Sequence, residues 1–150
     1  MHTPKHFIPS HRLPAVVTGA ALAFAFVDGR LLVAGSADAA PVVPALADLQ
    51  AAGVSGVRHY LGELAGVPCI ALALPDGAPA PPGFSAAALR SLFFTLPETL
   101  LALAGRAFQI VEWDRTHHYC GRCATPMRDR AGERARECPA CGHIAYPRNA

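Results

Sequence analysis

Charge is scarce in this sequence of 150 residues: Asp, Glu, Lys and Arg together make up 16%, and the formal net charge is +2. A balance so close to neutral supplies no global field that would draw the chain to nucleic acid or to an acidic partner. Lysine is almost missing, since Lys5 stands alone. Long apolar runs are missing as well. No stretch reaches the ~18 uninterrupted apolar residues of a membrane span, so no membrane partner is expected. There is no internal repeat. Apolar residues nevertheless make up 52%, which is too many for a disordered chain. The length suits one domain, or one domain with a small module attached.

The N-terminus has the outline of a secretory signal. Lys5 and Arg12 precede the apolar stretch Leu13–Val27, and Ala37-Asp38-Ala39 resembles a cleavage site. Pro14 and Gly19 interrupt that stretch, however, and Leu31-Leu32-Val33-Ala34 resumes the apolar pattern after Asp28-Gly29-Arg30. A hairpin behaves this way and a signal peptide does not, so the expected location is cytoplasmic.

Asp-Gly between two apolar runs is a hairpin signal, because a type I′ turn needs positive φ at both central residues. It predicts paired strands over Ala21–Val27 and Arg30–Ala34. A small-residue connection from Gly35 to Pro44 leads to a short helix over Ala45–Ala52, ended by Gly53. A second hairpin is expected from Val57–Leu64 and Val67–Leu74, joined by Ala65-Gly66, with a stiff proline linker from Pro79 to Gly83 after it. Ser85 then predicts the N-cap of a helix over Ala86–Phe94. Pro97 fits the first turn of a further helix. Leu100, Leu103, Ala104, Ala107, Phe108 and Val111 recur at three- and four-residue intervals, which places an apolar core stripe along Glu98–Thr116. The body is thus read as a small α+β domain of antiparallel strands followed by helices, over residues 1–116.

The charge is also uneven. Residues 1–114 hold six Lys/Arg against eight acids, a balance of −2, whereas residues 115–150 hold seven Arg against three acids, a balance of +4. That basic tail contains four of the five cysteines, in a ribbon module expected over residues 117–150. Cys120-Gly-Arg-Cys123 and Cys138-Pro-Ala-Cys141 form two C-x-x-C pairs with fourteen residues between them. In a reducing compartment this spacing reads as a metal site rather than as two disulfides. Each C-x-x-C turn sets two thiolates on one side of a tetrahedron, which suits zinc. Thr125–Arg128 and Glu133–Glu137 are expected as strands on either side of a turn at Asp129-Arg130-Ala131-Gly132. Gly121 and Gly142 are expected where the knuckles turn tightly and aim N–H groups at sulfur. Four protein ligands leave no open position, so the zinc would be structural. Iron competes, because Cys-Pro-x-Cys-Gly also occurs in rubredoxins, although those separate their pairs by a longer insert. His117, His118 and His143 adjoin the cysteines and are expected as neighbours rather than ligands. Cys69, in an apolar run, reads as a small buried hydrophobe.

Arg115-Thr-His-His-Tyr-Cys120-Gly-Arg-Cys123, followed by Cys138-Pro-Ala-Cys141-Gly-His-Ile-Ala-Tyr146-Pro147, resembles the zinc ribbon of NADH pyrophosphatases of the Nudix family. Ala102-Leu103-Ala104-Gly105-Arg106 with Glu112-Trp113 resembles the helix leading into it. The specific likeness covers about the last sixty residues. It implies an N-terminal domain and ribbon that precede a Nudix domain, where Mg2+ or Mn2+ on glutamates activates water to cleave NAD(H) to NMN(H) and AMP. Family members also remove NAD caps from RNA, and the family forms homodimers. The Nudix motif G-x5-E-x7-R-E-x2-E-E-x-G is absent here, and no two acids are adjacent. The resemblance therefore implies that the Nudix domain would follow residue 150, and that these 150 residues alone lack catalytic residues.

The resemblance further implies substrate contacts at Glu133, ten positions after Cys123, and at Tyr146, five after Cys141. Arg90 matches a substrate arginine if one residue is inserted before Gly105. The family's early lysine has no counterpart beyond Lys5. A tyrosine can stack on a base and a carboxylate can accept from ribose hydroxyls. Without the resemblance, Glu133 reads as a solvated strand residue and Tyr146 as a packed aromatic. A different class of function stays open: a stand-alone zinc-ribbon module for nucleic acid or protein, with Arg122, Arg128, Arg130, Arg134 and Arg136 as a solvent-facing, phosphate-gripping patch.

Overall fold

The structure, a computed structural model, describes residues 4–14, 16–35 and 40–147. The cleavage-site pattern at 37–39 and the end of the ribbon at 148–150 lie outside the described residues. Strands β1 (Phe7–Pro9), β2 (Leu22–Val27), β3 (Arg30–Ala34), β4 (Val57–Leu64), β5 (Val67–Ala73) and β6 (Phe84–Ala87) form one sheet in the order β1-β4-β5-β2-β3-β6. Helix α1 (Leu46–Ala51) covers one face and helix α2 (Glu98–Thr116) the other. A smaller sheet, β7 (Arg128–Asp129), β8 (Arg136–Glu137) and β9 (Ile144–Ala145), forms the ribbon.

Both hairpins form where expected. Asp28 and Gly29 take φ of 51° and 78°, and Ala65 and Gly66 take 49° and 82°, the left-handed pair that a type I′ turn needs. The two central strands, β2 and β5, alternate in size rather than in polarity. In β2, Ala23 and Ala25 face α1, where Leu46 and Leu49 pack, while Phe24 and Phe26 face α2 and its Leu103, Ala104 and Ala107. A sheet covered on both faces calls for such nearly continuous apolar strands. Cys69 is fully buried on the α2 side, as expected of a small hydrophobe, and burial pushes its thiol up to about 11.

Two expectations are corrected. The sheet is mixed: β2 and β5 run parallel, from Leu22 opposite Cys69 to Phe26 opposite Ala73. The chain leaves β3, crosses by way of α1, and returns with the second hairpin. That hairpin docks its more apolar strand, β5, against β2 at the centre of the sheet. The second correction concerns residues 84–94. Ser85 caps no helix; it lies in β6 opposite Val33, and only a single 3-10 turn follows, over Leu89–Leu92. Pairing with β3 satisfies a row of edge amides that a helix would leave open, and this outweighs local propensity. Helix α2 spans its expected range, with Pro97 at the N-cap instead of in the first turn.

Gly62 marks a close approach. A bulge separates Tyr60 from Gly62 in β4, Gly62 has φ of 135°, and a Cβ there would sit 2.0 Å from the Ile8 carbonyl oxygen. Only glycine lets β1 close on β4 at this point.

Candidate metal centre and adjoining cleft

The two C-x-x-C turns share one backbone design. Cys120 N–H donates to the Thr125 carbonyl at 2.8 Å and Ala124 N–H to the Cys120 carbonyl at 2.9 Å. Eighteen residues on, Cys138 N–H donates to His143 at 2.8 Å and Gly142 N–H to Cys138 at 3.0 Å. The left-handed residue follows the second cysteine of each pair: Ala124 at φ 66° and Gly142 at φ 79°. The glycine expected at this task in the first knuckle, Gly121, does not take it. The amides aimed at sulfur are likewise not those of the glycines. Arg122 N–H points to Cys120 Sγ at 3.3 Å and Cys141 N–H to Cys138 Sγ at 3.4 Å. The Cys141 amide is the main reason that the Cys138 thiol is lowered to about 6.

The four Sγ atoms lie within 4.8 Å of one another, with Cys120–Cys141 at 3.6 Å and Cys123–Cys138 at 3.5 Å. A tetrahedron with Zn–S near 2.3 Å requires sulfurs about 3.8 Å apart, so the donor set fits zinc. No histidine joins the cluster among the described residues. His117 instead stacks on Trp113, with ring centroids 5.8 Å apart, and its Nδ1 lies 2.8 Å from the Trp113 carbonyl oxygen. The expected hairpin is a three-stranded ribbon, because Ile144–Ala145 returns beside Arg136–Glu137.

Arginines tie the ribbon to the body. Arg136 pairs with the Asp114 carboxylate and with Asp129 at 3.1 Å, donates to the Asp114 and His117 carbonyls at 3.0 and 3.3 Å, and lies over the Trp113 ring. Asp114 also meets His59 Nε2 at 3.4 Å. The neighbouring His59 imidazole, then the hydrogen bond from Arg136, outweigh burial and hold the Asp114 carboxyl down at about 2. Arg134 donates to the carbonyls of Ser10, at 3.2 Å, and of Tyr60. The patch of solvent-facing arginines is therefore corrected: Arg134 and Arg136 face the body. Arg128 pairs with Glu137 and Arg130 with Glu133, each at 3.2 Å. Residues at i and i+2 of one strand share a face, so the spacing of Arg134 and Arg136 carried this signal, but nothing local said which face was covered.

Glu133 and Tyr146 come together. The Tyr146 hydroxyl donates to Glu133 Oε1 at 3.1 Å, and the same oxygen forms an ion pair with Arg130 Nε at 3.2 Å. That bond to Glu133 raises the phenol above its ordinary range. Both residues line a cleft of about 470 Å3 between ribbon and body, walled by Ser10, Leu61, Arg106 and Arg134. Its size is in the range of small-molecule sites, and the Tyr146 ring is half exposed. Arg90 is not brought to this cleft. It sits exposed on the 3-10 turn, and Lys5 is exposed before β1. Of the two arginines lining the cleft, Arg106 is not singled out as a binding group by the sequence, and Arg134 figures there only in the phosphate-gripping patch of the alternative reading.

Comparison with known proteins agrees with this geometry. Residues 20–113 match the NADH pyrophosphatase-like rudimentary NUDIX domain, and residues 115–146 match the NADH pyrophosphatase zinc ribbon domain. The NAD-capped RNA hydrolase NudC of Deinococcus radiodurans is 39% identical over 145 residues, which are 97% of this chain and 48% of that protein. Proteins of the same name from Stutzerimonas stutzeri and Pseudomonas fluorescens are 42% and 40% identical over 93 and 91 residues, or 62% and 61% of this chain and 32% and 33% of theirs. The chain thus spans about half, or less, of the length of these curated relatives. A sheet built as a rudimentary NUDIX domain, leading through one long helix into a four-cysteine ribbon, places the chain in the NADH pyrophosphatase family.

Proposed function

We propose that this chain is the substrate-positioning part of a hydrolase that splits the pyrophosphate of NAD(H), including NAD at the 5′ end of RNA, into NMN(H) and AMP. The observation that carries this reading is the pairing of Tyr146 with Glu133 in a cleft beside a zinc-ready ribbon of this family. Cys120, Cys123, Cys138 and Cys141 would hold the zinc, which supplies structure and no chemistry because all four positions are protein ligands. Its task is to fix the strand that carries Tyr146. The tyrosine ring offers a face for a base or nicotinamide, and Glu133, already hydrogen-bonded to the phenol and ion-paired with Arg130, offers a carboxylate oxygen to ribose hydroxyls.

Cleaving the pyrophosphate calls for Mg2+ or Mn2+ held by clustered carboxylates, which polarise phosphate and activate water. The sequence holds no such cluster, so in this reading the 150 residues bind without hydrolysing, and the ion sites belong to a Nudix domain of the larger enzyme. Residues 1–116 and 117–150 act as two units, Arg90 is kept as a contact reached only in a larger assembly, and the working form is a cytoplasmic homodimer. Among the described residues, no helix is long and apolar enough to cross a membrane. A nucleic-acid-binding ribbon is the weaker reading, because four of its five arginines are already engaged within the chain.

The zinc-loaded chain, titrated with NADH while Tyr146 and Glu133 are followed by NMR, tests this. The expected result is a shift of both residues with no AMP released in the presence of Mg2+ or Mn2+. Unmoved resonances at millimolar NADH, or AMP released by a pure sample, would overturn the reading.

A further inference from the structure

Two guanidinium groups in the cleft beside Tyr146 lack a counter-charge among the described residues. The ion pairs of the ribbon use Arg128, Arg130 and Arg136; among the described residues, no carboxylate lies within ion-pair distance of Arg106 or Arg134. Both are half-buried and both line the same cleft. Arg106 projects from α2, with its Cζ 5.6 Å from the centre of the Phe7 ring. Arg134 commits one nitrogen to the backbone carbonyls of Ser10 and Tyr60 and keeps its remaining N–H groups. Burial first, and then the like charge of Arg106, lowers Arg134 to about 10.

Such an arrangement is unfavourable in the free protein. Each arginine has surrendered part of its hydration, and each repels the other. Among the described residues the one carboxylate lining the cleft, Glu133, does not relieve this, because its oxygen is shared between Arg130 and the Tyr146 hydroxyl. An anion seated between the two guanidiniums would. Arginine presents a planar fork of N–H donors that matches the oxygens of a phosphate, and it stays charged in a partly dry site.

We propose that Arg106 and Arg134 form an anion subsite that takes a phosphate group, supplied by a nucleotide whose ring lies on Tyr146. The nucleotide part rests on the reading of Tyr146 above, whereas the anion part stands on the arginines alone. In a dinucleotide or a capped RNA this subsite would hold a phosphate on the ribbon side of the base, at a place set by the zinc-bound fold.

The test follows arginine Nε–H and Tyr146 ring resonances of the zinc-loaded chain during titration with inorganic phosphate, AMP and adenosine. Phosphate and AMP should shift Arg106 and Arg134, and AMP should bind about tenfold more tightly than adenosine, a gap that added salt narrows. Arg106→Gln should weaken AMP about tenfold and leave adenosine unchanged. Arg134→Lys, which keeps the charge and a donor for the Ser10 carbonyl, should weaken AMP less. Equal affinity for AMP and adenosine, or undiminished AMP binding by a folded Arg106→Gln variant, would overturn the subsite. Tyr146 responding to adenosine while phosphate leaves both arginines unmoved would do so too, with the base platform intact. Phosphate shifting both arginines while AMP leaves Tyr146 unmoved would uphold the anion site and remove the platform instead.

Discussion

The guanidinium carbon of Arg136 lies 5.1 Å from the centre of the Trp113 ring, so a residue of the ribbon caps the last buried aromatic of the body's long helix. Asp114, the next residue on that helix, pairs with the same guanidinium, and the Asp114 and His117 carbonyls accept from it. This side chain, like Arg134, thus joins the four-cysteine ribbon to the sheet domain.

Arg136→Ala should be among the costliest ribbon substitutions outside the cysteines. It leaves Asp114 mostly buried with only His59 beside it, and breaking a buried pair from one side costs about 3 kcal/mol or more. Urea unfolding of the zinc-loaded protein reads this directly, and Arg136→Lys should recover only part of the loss, since it lacks the fork and the flat stacking surface. A change below about 0.5 kcal/mol, the size typical of surface substitutions, would show that the contact is ornamental.

Asp114 also predicts a pH effect. Its carboxyl is lowered from 3.8 to about 2 in the folded protein, so the unfolded chain binds the proton more readily. The resulting stability, about 2 kcal/mol at most, is fully present above roughly pH 5 and is lost as pH falls through 4 towards 2. Acid also protonates the zinc ligands, but equally in wild type and in Asp114→Asn. The stability difference between those two proteins should therefore shrink over that window. A difference that stays constant from pH 6 to pH 3 would argue against the assignment.

Zinc should hold the ribbon and not the sheet. A four-thiolate site contributes on the order of 10–16 kcal/mol in small zinc modules, far more than strands of two residues gain by burial. Cys138→Ser should expose the amides of residues 117–147 to hydrogen exchange while β2, β4 and β5 remain protected. Ribbon amides still protected in protein shown by metal analysis to be zinc-free would contradict this.

Under the proposed function, Tyr146→Ala placed in a Nudix-containing parent enzyme should raise KM for NADH by roughly tenfold to a hundredfold with little change in kcat. Stacking on an aromatic contributes about 1–3 kcal/mol, and a contact remote from the breaking bond acts equally on ground and transition states. Tyr146→Phe should keep most of that affinity while releasing Glu133. A normal KM combined with lower stability would make Tyr146 a packing residue.

Local chemistry is what the sequence determined. Asp28-Gly29 and Ala65-Gly66 specify their turns through positive φ, and the apolar period specifies α2, because each depends on residues a few positions apart, while the two C-x-x-C pairs bring four sulfurs around one point across a single short ribbon. Tertiary structure decided the rest. Ser85 lies in a strand because β3 offers an open edge, β5 runs parallel to β2 because the second hairpin docks by its most apolar strand, and Ala124 accepts a left-handed backbone because the knuckle demands it. Arg134 and Arg136 turn inward because the body covers that face of the ribbon, and Arg106 meets Arg134 across 28 positions of sequence. Such encounters are set by long-range burial and pairing, whose energies no short window of sequence contains.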